Sequence, residues 1–213
     1  MPECKYVSMS PAGQDWEELY RGQDTAWDLR MVTPPLEALA RSGRLAQLVP
    51  AQGRIALPGC GRGHDVRFLA SLGYDVTGFD IAPSAVAEAS ALLALNRATA
   101  RVLLRDVLGL LPEFAGRFEL VYDYTCLCAL PPPLRPSYLA QVHGMLAPGG
   151  VYLALVYPMR EDRAGPGRAP YLVTDAQLRA LLAGGFELLD VFEPEASVAR
   201  RRGAERWYVA RRT

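Results

Sequence analysis

Apolar runs of strand length alternate with helix-length amphipathic stretches along this chain, and that alternation restricts its fold more than any other feature. Strand, helix, strand in repetition is the pattern of a parallel sheet covered on both faces. Residues 14–21 and 34–42 have the spacing of two short helices, the second opened by Pro34-Pro35 and closed near Gly43. Arg54 to Leu57 reads as a first buried strand ending at Pro58-Gly59, and His64 to Leu72 as a helix stopped by Gly73. Asp75–Asp80 is a second strand; Pro83-Ser84 opens a long helix to about Arg97. Arg101–Arg105 and Phe118–Tyr124 are the third and fourth strands, with a helix over Leu134–Leu146. Pro148-Gly149-Gly150 turns into a fifth strand, Val151–Tyr157, and Thr174 caps a helix reaching Leu182 before Gly184-Gly185. Phe186–Phe192 and Trp207–Arg211 form a last, antiparallel strand pair. The expected fold is α/β: a Rossmann-like, doubly wound, seven-stranded sheet, mostly parallel with an antiparallel C-terminal strand pair.

With 213 residues, half of them hydrophobic, the chain has material for one sizeable core, and the expectation is one domain over 1–213. Lys plus Arg and Asp plus Glu are 23 each, so overall charge gives no reason to expect nucleic acid or a membrane as partner. The first residues carry no apolar signal core, and no run approaches 18 apolar residues. Four cysteines, at 4, 60, 126 and 128, are too few and too unevenly spaced for a disulfide framework, which fits reduced thiols in the cytoplasm. Cys126-Leu127-Cys128 lacks metal-site spacing, so no metal is expected. The arginine run 200–202 is expected to be a solvated loop.

Gly59-Cys60-Gly61-Arg62-Gly63 follows a strand and precedes a helix, the setting of a nucleotide-binding loop. Glycines there let the backbone turn tightly and approach a ligand with no Cβ in the way. Asp80 ends the second strand about 20 residues on, where an acid can bind ribose hydroxyls. Asp106 ends the third strand, suitably placed for an adenine amino group, and Tyr122-Asp123-Tyr124 ends the fourth. All three strand ends face one edge. A nicotinamide or flavin loop would carry glycine where His64 stands, so that reading is second to a methyltransferase sheet.

The residues that carry a resemblance are Trp16, Tyr20 and Thr25-Ala26-Trp27-Asp28, then Leu57-Pro58-Gly59-Cys60-Gly61-Arg62-Gly63-His64-Asp65-Val66 and Gly78-Phe79-Asp80-Ile81. Asp123-Tyr124-Thr125-Cys126-Leu127-Cys128-Ala129-Leu130-Pro131, Arg135-Pro136, Pro148-Gly149-Gly150 and Tyr157-Pro158 continue it. Over nearly its whole length the chain resembles the thiopurine S-methyltransferase-like family, with its thiol and halide methyltransferase relatives. The resemblance implies S-adenosyl-L-methionine as cofactor, with S-adenosyl-L-homocysteine as product. It implies cofactor contacts at Trp16, Tyr20, Trp27, Gly59, Cys60, Gly61, Asp80, Ile81, Asp106, Val107 and Tyr124. It also implies an N-terminal helical segment, 1–45, lying over the site, and a monomer. Two positions depart from the family's pattern: Tyr20 replaces a Trp, and Gly165-Pro166-Gly167-Arg168 replaces Gly-Pro-Pro and an aromatic.

The acceptor expected is a small soft nucleophile: a thiol, a thiopurine-like heterocycle, or a halide or chalcogen anion. A thiol titrates near ~8.5, so such acceptors are partly ionised without a dedicated base. No acid–base pair stands out in the sequence, and Tyr124, Asp123 and Arg135 are the positioning candidates. Rings facing a sulfonium gain about 0.5–2 kcal/mol of cation–π attraction. The alternatives are O- or N-methylation of another small metabolite, which needs a base near Tyr124, and a cofactor-binding protein without turnover.

Overall fold

The structure, a computed structural model, describes residues 14–213; Cys4 and the start of the 1–45 segment lie outside the described residues. Seven strands form one sheet in the order β3-β2-β1-β4-β5-β7-β6. They are β1 (Arg54–Pro58), β2 (Asp75–Asp80), β3 (Ala100–Leu104), β4 (Phe118–Tyr124), β5 (Leu146–Val156), β6 (Phe186–Phe192) and β7 (Arg206–Arg212). β1 to β5 run parallel, while β7 lies antiparallel to both β5 and β6. The expected sheet is the one observed.

Ile55 pairs with Val76 on one side and Leu120 on the other, so the strand order reverses between β1 and β4. A crevice opens beyond the carboxyl ends of the strands at such a reversal, and that is where ligands bind in these sheets. One core face gathers Phe79, Leu139, Met145, Tyr152 and Leu178, the other Leu36, Ile55, Val66, Leu153 and Trp207. Each such side chain, fully buried, contributes about 1.5–3 kcal/mol.

The helices are α1 (Trp16–Arg21), α2 (Pro34–Arg41), α3 (Arg44–Leu48), α4 (His64–Ser71), α5 (Pro83–Leu95), α6 (Cys126–Ala129), α7 (Arg135–Met145) and α8 (Asp175–Leu182). Thr174 caps α8 as expected, in a capping box with Gln177. Three features were not foreseen. Gly43 in the left-handed region restarts the chain as α3 instead of ending the helical segment. α6 is a single turn, too short for any periodicity to betray it. β5 begins at Leu146, so Pro148-Gly149-Gly150 lies within the strand, beside the irregularity between Phe118 and Leu120.

Candidate functional site

The loop after β1 passes through three left-handed glycines, Gly59 (φ 61°), Gly61 (φ 54°) and Gly63 (φ 76°). A Cβ at Gly59 would stand 3.0 Å from Cys126 Sγ, and one at Gly61 would stand 2.8 Å from the Tyr20 hydroxyl. Glycine is therefore favoured by backbone angle and required by space. Asp80 braces the loop from below: Oδ2 accepts from Gly61 N (2.8 Å) and Oδ1 from Ala82 N (3.0 Å). Burial raises its carboxyl pKa, opposed by these backbone N–H groups.

Above the loop lies the segment from α1 to Thr33. Trp27 packs edge-on against Trp16 (5.3 Å) and Tyr20 (5.7 Å), and its Nε1 donates to the Tyr20 hydroxyl at 3.3 Å. Asp65, in the first turn of α4, anchors the far end of the segment, accepting from Thr33 N and Oγ1 at 2.7 Å each and from Tyr122 OH at 3.3 Å. Between loop and segment is a cleft holding a cavity of about 80 Å³, and Tyr20, Trp27, Gly59, Cys60, Gly61 and Tyr124 are in its wall. Six of the eleven cofactor candidates thus meet in one place. Trp16 supports Trp27 from behind. Asp80, Ile81, Asp106 and Val107 sit at the neighbouring ends of β2 and β3, where Arg105 N donates to Asp80 O (2.9 Å). Asp106 Oδ1 accepts from Leu108 N at 2.9 Å.

The three positioning candidates divide. Tyr124 reaches the cleft, and the Arg201 guanidinium and the Glu205 carboxylate (3.3 Å) both meet its hydroxyl. Burial raises its pKa, so it stays a neutral hydroxyl. Asp123, 2% exposed, is turned inward. Its Oδ1 accepts from Cys126 N (3.1 Å) and Leu127 N (3.3 Å), and its Oδ2 from the hydroxyls of Tyr138 and Tyr152, both at 2.8 Å. Four donors fill the carboxylate. Arg135 is also 2% exposed, and donates to the carbonyls of Leu172 (2.9 Å) and Tyr171 (3.2 Å), tying the segment after β5 to α7. Of the two roles open to it from sequence, a surface position is not what Arg135 has.

Arg201 is the residue that sequence reasoning misplaced. Far from being solvated, it is 2% exposed and lies over the rings of Tyr124 (4.8 Å) and Tyr157 (5.1 Å). Its Nη2 donates to the Trp27 carbonyl at 2.6 Å, which joins the C-terminal segment to the N-terminal one across the mouth of the sheet. Arg200 and Arg202 are exposed, so nothing in an Arg-Arg-Arg run distinguishes the middle residue. Cys60, Cys126 and Cys128 surround the loop as free thiols whose pKa burial pushes up, Cys128 to about 12, so none is ionised near neutral pH.

The thiopurine S-methyltransferase (TPMT) family matches residues 12–213. The chain is 33% identical over 194 residues to a probable thiol methyltransferase 2 of Arabidopsis thaliana, covering 90% of this chain and 81% of that one. It is 31% identical over 209 residues to a thiocyanate methyltransferase 1 of Brassica oleracea, covering 95% and 87%. Among solved structures it is similar to the Burkholderia thailandensis 1,6-didemethyltoxoflavin-N1-methyltransferase with bound 1,6-didemethyltoxoflavin and S-adenosylhomocysteine. That likeness has a TM-score of 0.68 at 22% identity, covers 93% of this chain and 86% of the other, and speaks for the fold. Sequence and sheet together make this chain a member of the thiopurine S-methyltransferase family, an S-adenosylmethionine-dependent methyltransferase.

Proposed function

We propose that this enzyme methylates a small soft nucleophile, a thiol or a related anion, at the cleft between the glycine loop and the 16–33 segment. The residues there fit the cofactor. Glycine at 59 and 61 lets the loop lie against Cys126 and Tyr20, where a Cβ would strike the thiol or the hydroxyl. The Asp80 carboxylate takes backbone N–H groups of Gly61, Ala82 and Ile81, and with about four lone-pair sites keeps acceptor capacity for ribose hydroxyls. Asp106 and Val107 would border the adenine, while Trp27, Tyr20 and Tyr124 would wall in the sulfonium. The sulfonium supplies an activated methyl group. What remains for the chain is to align acceptor, carbon and sulfur and to keep water out, worth about 7–11 kcal/mol as effective molarity.

One observation carries the choice of acceptor: Asp28 and Asp65, the carboxylates in the cleft wall, are committed, and so is Asp123 behind it. Asp28 is paired with Arg62 at 2.7 Å, Asp65 is held by Thr33 and Tyr122, and Asp123 is filled by four donors. An acceptor already ionised needs none of them, and Arg201 beside Tyr124 supplies positive charge toward an anion. Glu205 favours a second reading. It meets the Tyr124 hydroxyl, so a protonated oxygen or nitrogen acceptor would have a base one residue away. The enzyme is further proposed to act as a cytoplasmic monomer of one domain, with the described part of its N-terminal segment, 14–45, over the site. Among the described residues no helix is long and apolar enough to cross a membrane.

The test is a panel of acceptors with S-adenosylmethionine: hydrosulfide, thiocyanate, iodide, an aromatic thiol, a catechol and a primary amine. Turnover is expected with the sulfur and halide members. Product from the catechol or the amine alone would overturn the soft-nucleophile reading.

A further inference from the structure

Arg62 occupies the middle of the glycine loop, between left-handed Gly61 and Gly63, and its side chain is only 9% exposed. Its Nη1 donates to Asp28 Oδ2 (2.7 Å) and Thr25 Oγ1 (2.8 Å), and its Nη2 to Gln23 Oε1 (3.2 Å). The Nε donates to Glu88 Oε2 on α5 at 2.5 Å. The guanidinium carbon lies 5.2 Å from the centre of the Tyr20 ring. Asp28, also 9% exposed at its side chain, is 3.9 Å from His64 Nε2 at the start of α4.

Apart from Arg62 and His64, segment 23–28 is held from a distance at Trp27, by Arg201 on its carbonyl and by Trp16 and Tyr20 against its ring. Residues 22–33 belong to no helix or strand. Within 23–28 the backbone closes only local turns, Gln23 N to Tyr20 O, Asp24 N to Leu19 O and Asp28 N to Thr25 O. Side-chain bonds must therefore set where this stretch sits over the loop, and a planar guanidinium with five donors is suited to several partners at once in a way an ammonium is not. A buried ion pair adds little net stability, but it fixes one arrangement among several and is costly to break.

We propose that Arg62 is a positioning residue for methyl transfer: it registers segment 23–28 on the glycine loop, so that Tyr20 and Trp27 are already placed when the donor enters. The inference rests on the cleft being the donor site. It locates the contribution of Arg62 in donor binding, not in the transfer step, because four of the five guanidinium N–H groups are held by protein partners. Restraining the segment beforehand lowers the ordering cost that binding would otherwise meet.

The test compares wild type with Arg62→Ala, Arg62→Lys, Asp28→Asn and the Arg62→Ala/Asp28→Asn double variant, each checked for folding by circular dichroism. S-adenosylhomocysteine is titrated by calorimetry, and amide hydrogen exchange over 23–28 is followed in the ligand-free protein. Arg62→Ala is expected to weaken S-adenosylhomocysteine binding and raise donor KM about tenfold or more, a factor equivalent to about 1.4 kcal/mol, while kcat at saturating donor stays near wild type. Exchange over 23–28 should quicken by a similar factor, Lys should restore part of each effect, and Asp28→Asn should add nothing to Arg62→Ala. Unchanged affinity and exchange in a folded Arg62→Ala variant would overturn the inference while leaving the donor site standing. A fall in kcat with KM unchanged would overturn it too. If the wild type itself failed to bind S-adenosylhomocysteine, the donor reading would fall and this inference with it.

Discussion

Asp123 stands at the end of β4, beside Tyr124, where a catalytic carboxylate is easily imagined, and its surroundings predict a structural role that can be measured. Asp123→Ala would leave two backbone N–H groups and two tyrosine hydroxyls, all buried, without their acceptor. At about 1–3 kcal/mol for each unsatisfied group, the loss is at least about 4 kcal/mol. That is a large part of the ~5–15 kcal/mol that holds a domain together, and Asp123→Ala is expected to express poorly or melt far below wild type. Asp123→Asn is the informative variant. Its amide oxygen can keep Cys126 N and Leu127 N, while its NH₂ faces Tyr138 and Tyr152, whose hydroxyls must turn round to accept. The cost is about 1–2 kcal/mol, from one rearranged pair of bonds. For a chain of this size that lowers Tm by ~2–8 °C. Thermal melts run beside initial rates at a temperature where both proteins are folded separate the two roles. A lowered Tm with kcat within a few-fold of wild type is expected. Wild-type melting with a loss of about a hundredfold in kcat, roughly 2.7 kcal/mol of transition-state stabilisation, would show that Asp123 touches the reaction and would refute this reasoning.

Asp80→Ala is expected to raise the S-adenosylhomocysteine Kd about tenfold or more, since charge-assisted hydrogen bonds of ~1.5–3 kcal/mol to ribose would be lost along with the brace under Gly61; calorimetry giving wild-type affinity in a folded variant would remove Asp80 from the site. Glu205→Gln keeps an acceptor for Tyr124 and removes the base, so thiol or thiocyanate methylation should survive it; a loss of about a hundredfold in kcat, the scale of general-base catalysis, would favour the protonated-acceptor reading. Burial raises the carboxyl pKa of Asp65, Asp80, Asp123 and Glu205. These groups bind protons in the fold before they do in the unfolded chain, so their contribution is complete below about pH 4 and is lost as pH rises through the folded values. Glu119 and Asp175, lowered by hydrogen bonds from Arg54 and Arg179, act in the opposite sense, and only below their ordinary range. Tm is therefore expected to rise as pH is lowered from neutrality toward the ordinary carboxylate range, and a steady fall on that descent in a differential scanning calorimeter would count against the raised values.

What the sequence made legible was whatever depends on local order along the chain. The apolar runs of β1, β2, β4 and β5 are buried on both sides, and that requirement is written into consecutive residues such as Ile55-Ala56-Leu57. Gly59, Gly61 and Gly63 announced a loop because three glycines at that spacing favour a left-handed backbone between a strand and a helix. The same holds for Thr174, whose capping partner Gln177 is three residues on. Where an outcome turned on contacts between distant segments, the sequence was silent. Arg135 and Arg201 look like surface arginines because most arginines are. Both are buried because carbonyls from elsewhere converge on them, those of Tyr171 and Leu172 on the first and that of Trp27, 174 positions earlier, on the second. An arginine can be enclosed only where such acceptors or a ring face replace the water it gives up, and Arg201 has both, a carbonyl below and the rings of Tyr124 and Tyr157 alongside. Its burial is thus a property of the assembled mouth of the sheet. The glycine loop is local and was visible, while the junction of Arg201 with Trp27 is made by segments far apart in the chain, and only the folded molecule displays it.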